Sequence, residues 1–217
     1  ALAFFKQIGR FWIILFKTIL SKLYHWKIYV VGSVEYQYPN HLFQAGYFLD
    51  KKYYDENTID FKHLLLSEKN QSLLKDIQNS NSVGVHIRRG DYMTKQNLVI
   101  FGNICTQKYY HDAIRIITEK VNDAVFYVFS DDISWVQTHL DIPNAVYVNW
   151  NTGESSIYDM YLMSSCKYNI IANSTFSYWA ARLNKKTNMV IYPSKWYNTL
   201  PRRRPSGTPC RMGPSRH

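Results

Sequence analysis

The sequence predicts an α/β protein built on a parallel, doubly wound sheet of the Rossmann type. After residue 80, short apolar runs rich in β-branched and aromatic residues recur as SVGVHI, AVFYVF, AVYVNW, YNIIA and MVIYP. Longer segments with helical periodicity lie between them, among them TQKYYHDAIRIITEK and IYDMYLMSSCK. Strands that alternate with helices indicate βαβ units, in which the strands run parallel.

The predicted organisation has three parts. Residues 83–197 form the Rossmann-like domain. Residues 1–82 combine a helical segment at 1–30, an irregular aromatic-rich stretch and a helix-like stretch near 61–78, and we predict a separate helical and irregular region. Residues 198–217 are rich in proline, arginine, glycine and serine and have almost no core-forming residues, so we predict a disordered or artefactual tail.

The excess positive charge lies at the two ends of the chain. The formal net charge is +10. Of the 26 basic residues, five lie in residues 1–30 and five in residues 198–217, with no acidic residue in either segment. The remaining basic residues balance the 16 acidic ones, so the body of the protein is neutral. This distribution argues against a nucleic-acid function.

The amphipathic segment 1–30 has two interpretations. It packs on the body as a helix, or it forms a basic surface that contacts an anionic membrane. Its apolar stretch FWIILF is too short to span a bilayer and lacks the features of a cleavable signal. The three cysteines (Cys105, Cys166 and Cys210) are far apart, which predicts neither disulfides nor a structural zinc site. We therefore predict a cytoplasmic protein, with the inner face of the membrane as an alternative location.

The polar residues that follow the apolar runs predict a binding crevice. In open α/β sheets, ligands bind beyond the carboxyl ends of the strands. The first run is followed by RRGD, the second by SDD and the fourth by NSTFS. Because side chains alternate along a strand, His86 and Arg88 share one face, and Arg89 points to the other. Arg88 is then the arginine that meets an anionic ligand, while Arg89 pairs with Asp131 or Asp159.

A diphosphate fits the predicted crevice. A guanidinium forks onto two phosphate oxygens and stays charged. Ser174, Thr175 and Ser177 lie where a helix begins, and a helix start offers donors to an anion; ordinary capping is the alternative. Asp159, on a helix, accepts two N–H groups from a guanine edge or is merely a solvated carboxylate. The sequence has neither a GxGxxG nor a P-loop motif.

Three motifs carry a resemblance to a known family. VGVHIRRGDY, FYVFSDD and IYDMYLMSSCKYNIIANSTFSYWAARL occur in this order. Together they resemble bacterial alpha-1,2-fucosyltransferases, which are inverting glycosyltransferases that use GDP-fucose. The similarity covers about residues 25–197. It implies a GT-B architecture, with residues 83–197 as the GDP-sugar domain and residues 1–82 as the acceptor side. It also implies no metal or other cofactor.

The resemblance assigns roles to individual residues. Arg88 is similar to the arginine that holds the β-phosphate and stabilises its departure, and His86 matches the histidine near the ribose and diphosphate. Asp159 matches the acidic residue that reads guanine. The phosphate-binding group would comprise Ser174, Thr175, Phe176 and Ser177, with Arg89 beside it. Asp91 is a candidate general base, and the alternative is that Asp91 braces the Arg88 loop.

The resemblance also implies the acceptor and an expected departure. Fucose would be transferred to the 2-hydroxyl of a galactose-terminated oligosaccharide or of a lipid-linked glycan. The glycine-rich GGLGNQxFQ segment of the family does not occur in this sequence. We therefore expect an incomplete N-terminal domain. Two alternatives to a working transferase are an inactive fragment that at most binds GDP and a basic peripheral-membrane or interaction module.

Overall fold

The structure, a computed structural model, describes residues 60–198 and two short strands, β1 (Tyr29–Val31) and β2 (Phe43–Ala45). The chain divides into two compact units, one of residues 1–58 and 203–217 and one of residues 59–202. In the first unit, β1 and β2 pair in parallel. Residues 29 and 30 are thus strand; the rest of the predicted helical segment 1–30 lies outside the described residues, as does the predicted tail after Asn198.

The second unit has the predicted alternation of helices and strands. In chain order its elements are α1 (Glu68–Asn79), β3 (Asn81–Ile87), α2 (Lys95–Phe101), α3 (Gln107–Lys120), β4 (Ala124–Ser130), α4 (Ile133–His139), β5 (Ala145–Val148), α5 (Ser156–Ser164), β6 (Tyr168–Ile170), α6 (Thr175–Leu183) and β7 (Met189–Ile191). Two 3-10 turns lie at Gly90–Met93 and Gly153–Ser155. All five predicted apolar runs form strands, so the predicted α/β class is confirmed.

The sheet is parallel throughout, with the order β5-β4-β3-β6-β7. The central strand β3 comes first in the sequence of this sheet, and β4 and β5 follow on one side of it. The chain then crosses over to add β6 and β7 on the other side. The strand order therefore reverses between β3 and β6, and a crevice opens at such a switch point beyond the strand ends. The segments RRGD and NSTFS follow these two strands.

Helices cover both faces of the sheet. On one face, the β3 residues Val83, Val85 and Ile87 pack in a core with α3 and α4. On the other face, Tyr127 and Phe129 of β4 pack with α1, α5 and α6. Each face buries its own apolar cluster, as expected for a doubly wound sheet that is rich in β-branched and aromatic residues. His86 lies on the face of α1, α5 and α6, because it alternates with Val85 and Ile87.

Helix α1 packs against the five-stranded sheet, whose first strand follows it in the chain. Its Leu73 and Ile77 are buried in the apolar cluster that Tyr127 and Phe129 share, and the helix lies within the compact unit of residues 59–202. The helix begins later than the stretch near 61–78 predicted. The Ser67 side chain accepts a hydrogen bond from the Asn70 amide and caps the helix, which starts at Glu68.

Candidate functional site

Arg88 lies just beyond the end of β3 and is held by two carboxylates. Its Nη2 donates to Asp91 Oδ1 at 2.6 Å, and its Nη1 pairs with Asp131 Oδ2 at 2.8 Å. A guanidinium has five N–H donors, and among the described residues the contacts with Asp91 and Asp131 use two of them, which leaves three for a ligand. The side chain is 33% exposed, which keeps it within reach of solvent. The carboxylates therefore fix the guanidinium plane without using up its donors.

Arg89 is directed toward α4. Its Nε pairs with Asp132 Oδ2 at 3.1 Å, and its guanidinium carbon lies 3.6 Å from the centre of the Trp135 ring. Its backbone amide donates to Asp131 Oδ1 at 2.9 Å. The side chain thus pairs with an internal carboxylate, but the partner is Asp132 rather than Asp131 or Asp159. Stacking on an aromatic ring and pairing with Asp132 tie the arginine loop to α4, and this leaves Arg89 poorly placed to meet a ligand.

His86 is a buried, neutral side chain beneath Arg88. It is 6% exposed, and its ring lies 5.1 Å from the ring of Phe176. Burial, and secondarily the charge of Arg88, lowers the pKa of His86 to about 3. Its Nδ1 is buried and has no hydrogen-bond partner within the described part of the chain. His86 therefore offers a neutral imidazole, not a cation, at the bottom of the crevice.

The segment after β6 contains both structural and accessible residues. Ser174 caps α6 by accepting from the Phe176 amide at 3.3 Å. The Ser177 hydroxyl is fully buried and donates to the carbonyl oxygens of Ala172 and Ser174. Thr175 and Phe176 are half-buried at the start of the helix. Of the four predicted residues, Thr175 and Phe176 are partly exposed, whereas Ser174 and Ser177 are buried and hold the loop together.

Asp159 projects from α5 into a network of side-chain hydrogen bonds. Its Oδ1 accepts from Asn151 Nδ2 at 2.7 Å, and Asn151 is bonded in turn to Asn70. Burial raises the pKa of Asp159 to about 7, although the Asn151 bond lowers it. Asp159 is thus a half-buried carboxyl group that titrates near neutrality, which excludes the alternative of a solvated helix carboxylate.

His86 and Asp159 give opposite contributions to the pH dependence of stability. The unfolded histidine takes up a proton near pH 6.5, but the folded protein does so only near pH 3, so His86 destabilises the fold as the pH falls through this interval. Asp159 has a folded pKa of about 7 against 3.8 when unfolded, so it stabilises the fold as the pH falls from 7 to 4. Each slope is about 1 kcal/mol per pH unit.

We expect two substitutions to separate these slopes. In His86→Phe, the free energy of unfolding should rise as the pH falls from 7 to about 4, because only the Asp159 slope of about 1 kcal/mol per unit remains. In Asp159→Asn, it should fall over the same interval. Urea denaturation from pH 4 to 7.5 measures both, and other titrating groups are common to all three proteins. Parallel pH profiles for wild type and His86→Phe would show that His86 takes up its proton normally in the fold.

The described residues offer neither a cluster of metal ligands nor a membrane-spanning helix. Residues 60–198 and the two short strands contain no group of three or more His, Cys, Asp or Glu side chains that could hold a metal ion. In the same part of the chain, no helix is long and apolar enough to cross a membrane.

Sequence reasoning missed several residues that build the site. Trp150 and Asn151 lie two and three residues after the end of β5, so the rule that singled out the other strand ends applies to them as well. Asn70 gives no such signal, because it is 81 residues from its partner Asn151. Tyr92 donates its hydroxyl to the Asn173 carbonyl at 2.9 Å and joins the arginine loop to the loop after β6.

Comparison with known proteins identifies relatives of this chain. An alpha-1,2-colitosyltransferase of Escherichia coli is 35% identical over 176 residues, which are 76% of this chain and 57% of that protein. The O-antigen biosynthesis glycosyltransferase WbnK of Escherichia coli is 44% identical over 122 residues, or 55% of this chain and 40% of that protein. A galactoside alpha-(1,2)-fucosyltransferase 2 of Pongo pygmaeus is 29% identical over 128 residues, or 56% of this chain and 37% of that protein.

The chain spans about half the length of the curated relatives that it matches. A family model, however, matches nearly all of the chain, from residue 13 to residue 204. The resemblance drawn from the three motifs is confirmed at the level of the family. The chain belongs to glycosyl transferase family 11.

Proposed function

We propose that this chain supplies the nucleotide-sugar site of an enzyme that transfers L-fucose from GDP-fucose to the 2-hydroxyl of a terminal galactoside, with inversion. The observation that carries the proposal is the position of Arg88. It lies at the switch point of the sheet, is fixed by two carboxylates and retains three N–H donors that no residue of the described part of the chain uses. The start of α6 follows the neighbouring strand β6 and faces the same crevice.

The proposed mechanism follows the charge that develops on the donor. As the bond between the sugar and the β-phosphate breaks, negative charge grows on the leaving diphosphate. The free N–H donors of Arg88 and the amides at the start of α6 stabilise this charge. Thr175 adds a hydroxyl donor. In this proposal the protein's own donors neutralise the diphosphate, and no metal ion is required.

The remaining predicted residues take roles around the nucleotide. His86 is neutral at physiological pH and presents an imidazole beside the ribose and the diphosphate without adding charge. Phe176 packs against the His86 ring in a tilted arrangement and limits its movement. Asp159 reads the base. Arg89 and Asp132 support the arginine loop from α4, and Ser174 and Ser177 support it from the side of α6.

A second donor has a specific observation in its favour. The alpha-1,2-colitosyltransferase matches a larger share of this chain than the other two relatives do, 76% against 55% and 56%. GDP-colitose is therefore the second candidate donor. Both candidates use the same nucleotide and the same linkage, so the diphosphate crevice described above serves either one. The two donors differ in the sugar alone.

The proposal also covers the acceptor and the location of the protein. We propose a galactose-terminated oligosaccharide or lipid-linked glycan as the acceptor, and the cytoplasm as the location. A peripheral membrane contact would rest on the basic segment 1–30, most of which lies outside the described residues. The two alternatives, an inactive fragment that at most binds GDP and a basic membrane or interaction module, predict different results in the experiment below.

Calorimetry on the 217-residue chain tests the proposal. GDP, GDP-fucose and GDP-colitose are titrated in turn, with and without EDTA, and lactose-dependent GDP release is measured in the same samples. Binding with turnover that persists in EDTA supports the proposal and selects the donor. GDP binding without turnover on a panel of galactosides indicates an inactive fragment. If no nucleotide binds, the proposal is wrong for this chain, and salt-sensitive binding to anionic vesicles would then favour the membrane module.

Two substitutions of Asp91 distinguish its two possible roles, as a brace for Arg88 and as a general base. As a brace, it orients Arg88 through the 2.6 Å bond, so we expect Asp91→Ala to weaken GDP binding about tenfold and Asp91→Asn to weaken it less, because the amide oxygen still accepts. As a base, Asp91 would leave GDP affinity unchanged in both variants and lower kcat by about 100-fold or more. Calorimetry with GDP and steady-state kinetics separate these outcomes.

A further inference from the structure

We propose that Trp150, Asn70 and Asn151 are positioning residues that hold Asp159 as a hydrogen-bond acceptor, so that the site selects a base with two adjacent N–H groups. The inference rests on the proposed function, because it states how the same nucleotide site reads its base. It gives roles to three residues that the motif resemblance left unassigned.

These residues form one connected chain of hydrogen bonds. The Trp150 indole Nε1 donates to Asn70 Oδ1 at 2.7 Å. The amides of Asn70 and Asn151 pair reciprocally, at 3.0 Å from Asn70 Nδ2 to Asn151 Oδ1 and at 3.1 Å in the other direction. Asn151 Nδ2 also donates to Asp159 Oδ1 at 2.7 Å. The chain thus joins α1, the loop after β5 and α5.

The indole sets the direction of every bond in this chain. An indole N–H can only donate, so the oxygen of Asn70, and not its nitrogen, must face Trp150. The Asn70 nitrogen then faces the Asn151 oxygen, and this turns the Asn151 nitrogen toward Asp159. A donor therefore always points at Asp159. Asp159 Oδ1 is thus held as an acceptor, and a hydrogen bond donated to this oxygen favours the ionised carboxylate over the protonated acid.

Burial and stacking make the arrangement rigid. Asn70 is 1% exposed, and both its oxygen and its nitrogen have partners. A buried polar network whose members are all satisfied favours one arrangement, because breaking any bond leaves an unpaired group. Lys69 Nζ lies 3.8 Å from the centre of the Trp150 ring and covers the indole. The amides have little freedom to turn over.

Asp159 keeps acceptor capacity for a ligand. An ionised carboxylate has about four acceptor sites on its two oxygens, and the Asn151 bond occupies one of them on Oδ1. Within the described residues, no hydrogen bond is recorded at Oδ2. Guanine presents two adjacent N–H groups on one edge, which match two carboxylate oxygens. Hypoxanthine presents one of these, and adenine places an acceptor where the first would be.

Charged neighbours do not explain the titration of Asp159. None of the charged or titratable residues of α5 and of the elements packed against it is a cause of the shift; these residues are Glu68, Lys69, Lys75, Asp76, His86, Tyr127, Asp131, Glu154, Tyr158, Tyr161, Tyr178 and Arg182. The causes of the shift are burial, which raises the pKa, and the Asn151 bond, which lowers it. Removing the Asn151 amide should therefore raise the pKa of Asp159 further and leave more of it protonated at neutral pH.

The test compares nucleotide selectivity and its pH dependence in matched variants of the full chain. GDP and inosine diphosphate (IDP) are titrated by calorimetry between pH 5.5 and 8.5 into wild type, Asn151→Ala, Trp150→Phe and Asp159→Asn. Asn184→Ala is the control, because Asn184 is also a buried asparagine, bonded to the Cys166 carbonyl at 2.6 Å, but it has no bond to this chain of residues. Carbon-13 NMR of the Asp159 carboxyl group follows its protonation without ligand.

We expect wild type to prefer GDP to IDP by about tenfold or more, and to lose this preference as the pH falls below about 7. Asn151→Ala should bind GDP about tenfold more weakly at pH 7, and its pH midpoint should move upward in both calorimetry and NMR. Trp150→Phe should shift the GDP affinity and the pH midpoint in the same direction by less. Because this variant keeps an aromatic ring, it still tests the inference if Asn151→Ala does not fold. Asn184→Ala should match wild type in selectivity and midpoint.

Other outcomes overturn the inference. If Asn151→Ala and Trp150→Phe had the same pH midpoints and the same preference for GDP as wild type, the amides would not position Asp159. Equal GDP binding by Asp159→Asn and wild type would mean that Asp159 does not read the base, while the proposed function would stand. If wild type binds no nucleotide, the proposed function fails and the base selection fails with it. The NMR midpoint would then still report whether Asn151 controls the protonation of Asp159.

Discussion

Replacing Arg88 with alanine is expected to abolish donor binding and turnover, a loss of at least about 100-fold in kcat/KM. Arg88 brings a permanent charge, and three N–H donors without a partner among residues 60–198, to the point where a diphosphate would develop negative charge. Arg88→Lys should recover little of this loss. A lysine keeps the charge but lacks the fork, and if two of its three donors hold Asp91 and Asp131, only one is left for the phosphate.

Arg89→Ala is the matched control for this prediction. Arg89 pairs with Asp132 and stacks on Trp135, so its removal should lower the thermal unfolding midpoint and affect GDP binding less than the removal of Arg88. Calorimetry with GDP and a thermal melt of each variant measure both quantities. If Arg88→Ala binds GDP as wild type does, Arg88 is a structural residue, and the crevice must recognise its ligand by other groups.

The sheet could be predicted from the sequence because its signals are local. Each strand is a short apolar run between helical segments, and the alternation of side chains along β3 placed His86 on one face. The rule that ligands bind at the carboxyl ends of parallel strands then gathered RRGD and NSTFS at the same crevice. These inferences use residues that are neighbours in the chain or follow from the topology.

The partners of the arginines could not be predicted, because they depend on tertiary distances. Arg88 and Asp131 are 43 residues apart, and the sequence contains other carboxylates at the ends of strands and helices. Alternation suggested that Arg89 pairs internally, but it could not choose Asp132 over Asp131 or Asp159. Similarly, a cluster of hydroxyls at a helix start does not reveal that Ser177 points inward and Thr175 is accessible.

Asn70, one of the residues in the chain of hydrogen bonds that ends on Asp159, could not be predicted from any pattern in the sequence. Asn70 lies on a helix that precedes the first strand of the sheet, in a segment assigned to a different predicted domain. An asparagine near a helix start is more often a capping or solvated residue. Only the packing of α1 on the same face as α5 brings Asn70 to Asn151.

Gly90→Ala is expected to disable the site while leaving the fold intact. A Cβ at Gly90 would contact the Asp131 carboxylate and lie 3.1 Å from its Cγ. Asp131 is the end of a flexible side chain, so it is the group that must move. Moving it breaks the 2.8 Å pair with Arg88 and the 2.9 Å bond from the Arg89 amide. One methyl group would thus release the arginine loop from β4.

We expect GDP affinity to fall about tenfold or more in Gly90→Ala, with a thermal midpoint within a few degrees of wild type, because the buried apolar clusters are untouched. Asp131→Asn should have a smaller effect, since its oxygen still accepts from the Arg89 amide. Gly153→Ala is the control: it has a φ of +60°, but an added Cβ meets nothing within 4 Å, so it should cost about 1 kcal/mol of stability and leave GDP binding unchanged. Wild-type affinity in Gly90→Ala would mean that Arg88 holds its geometry through Asp91 alone.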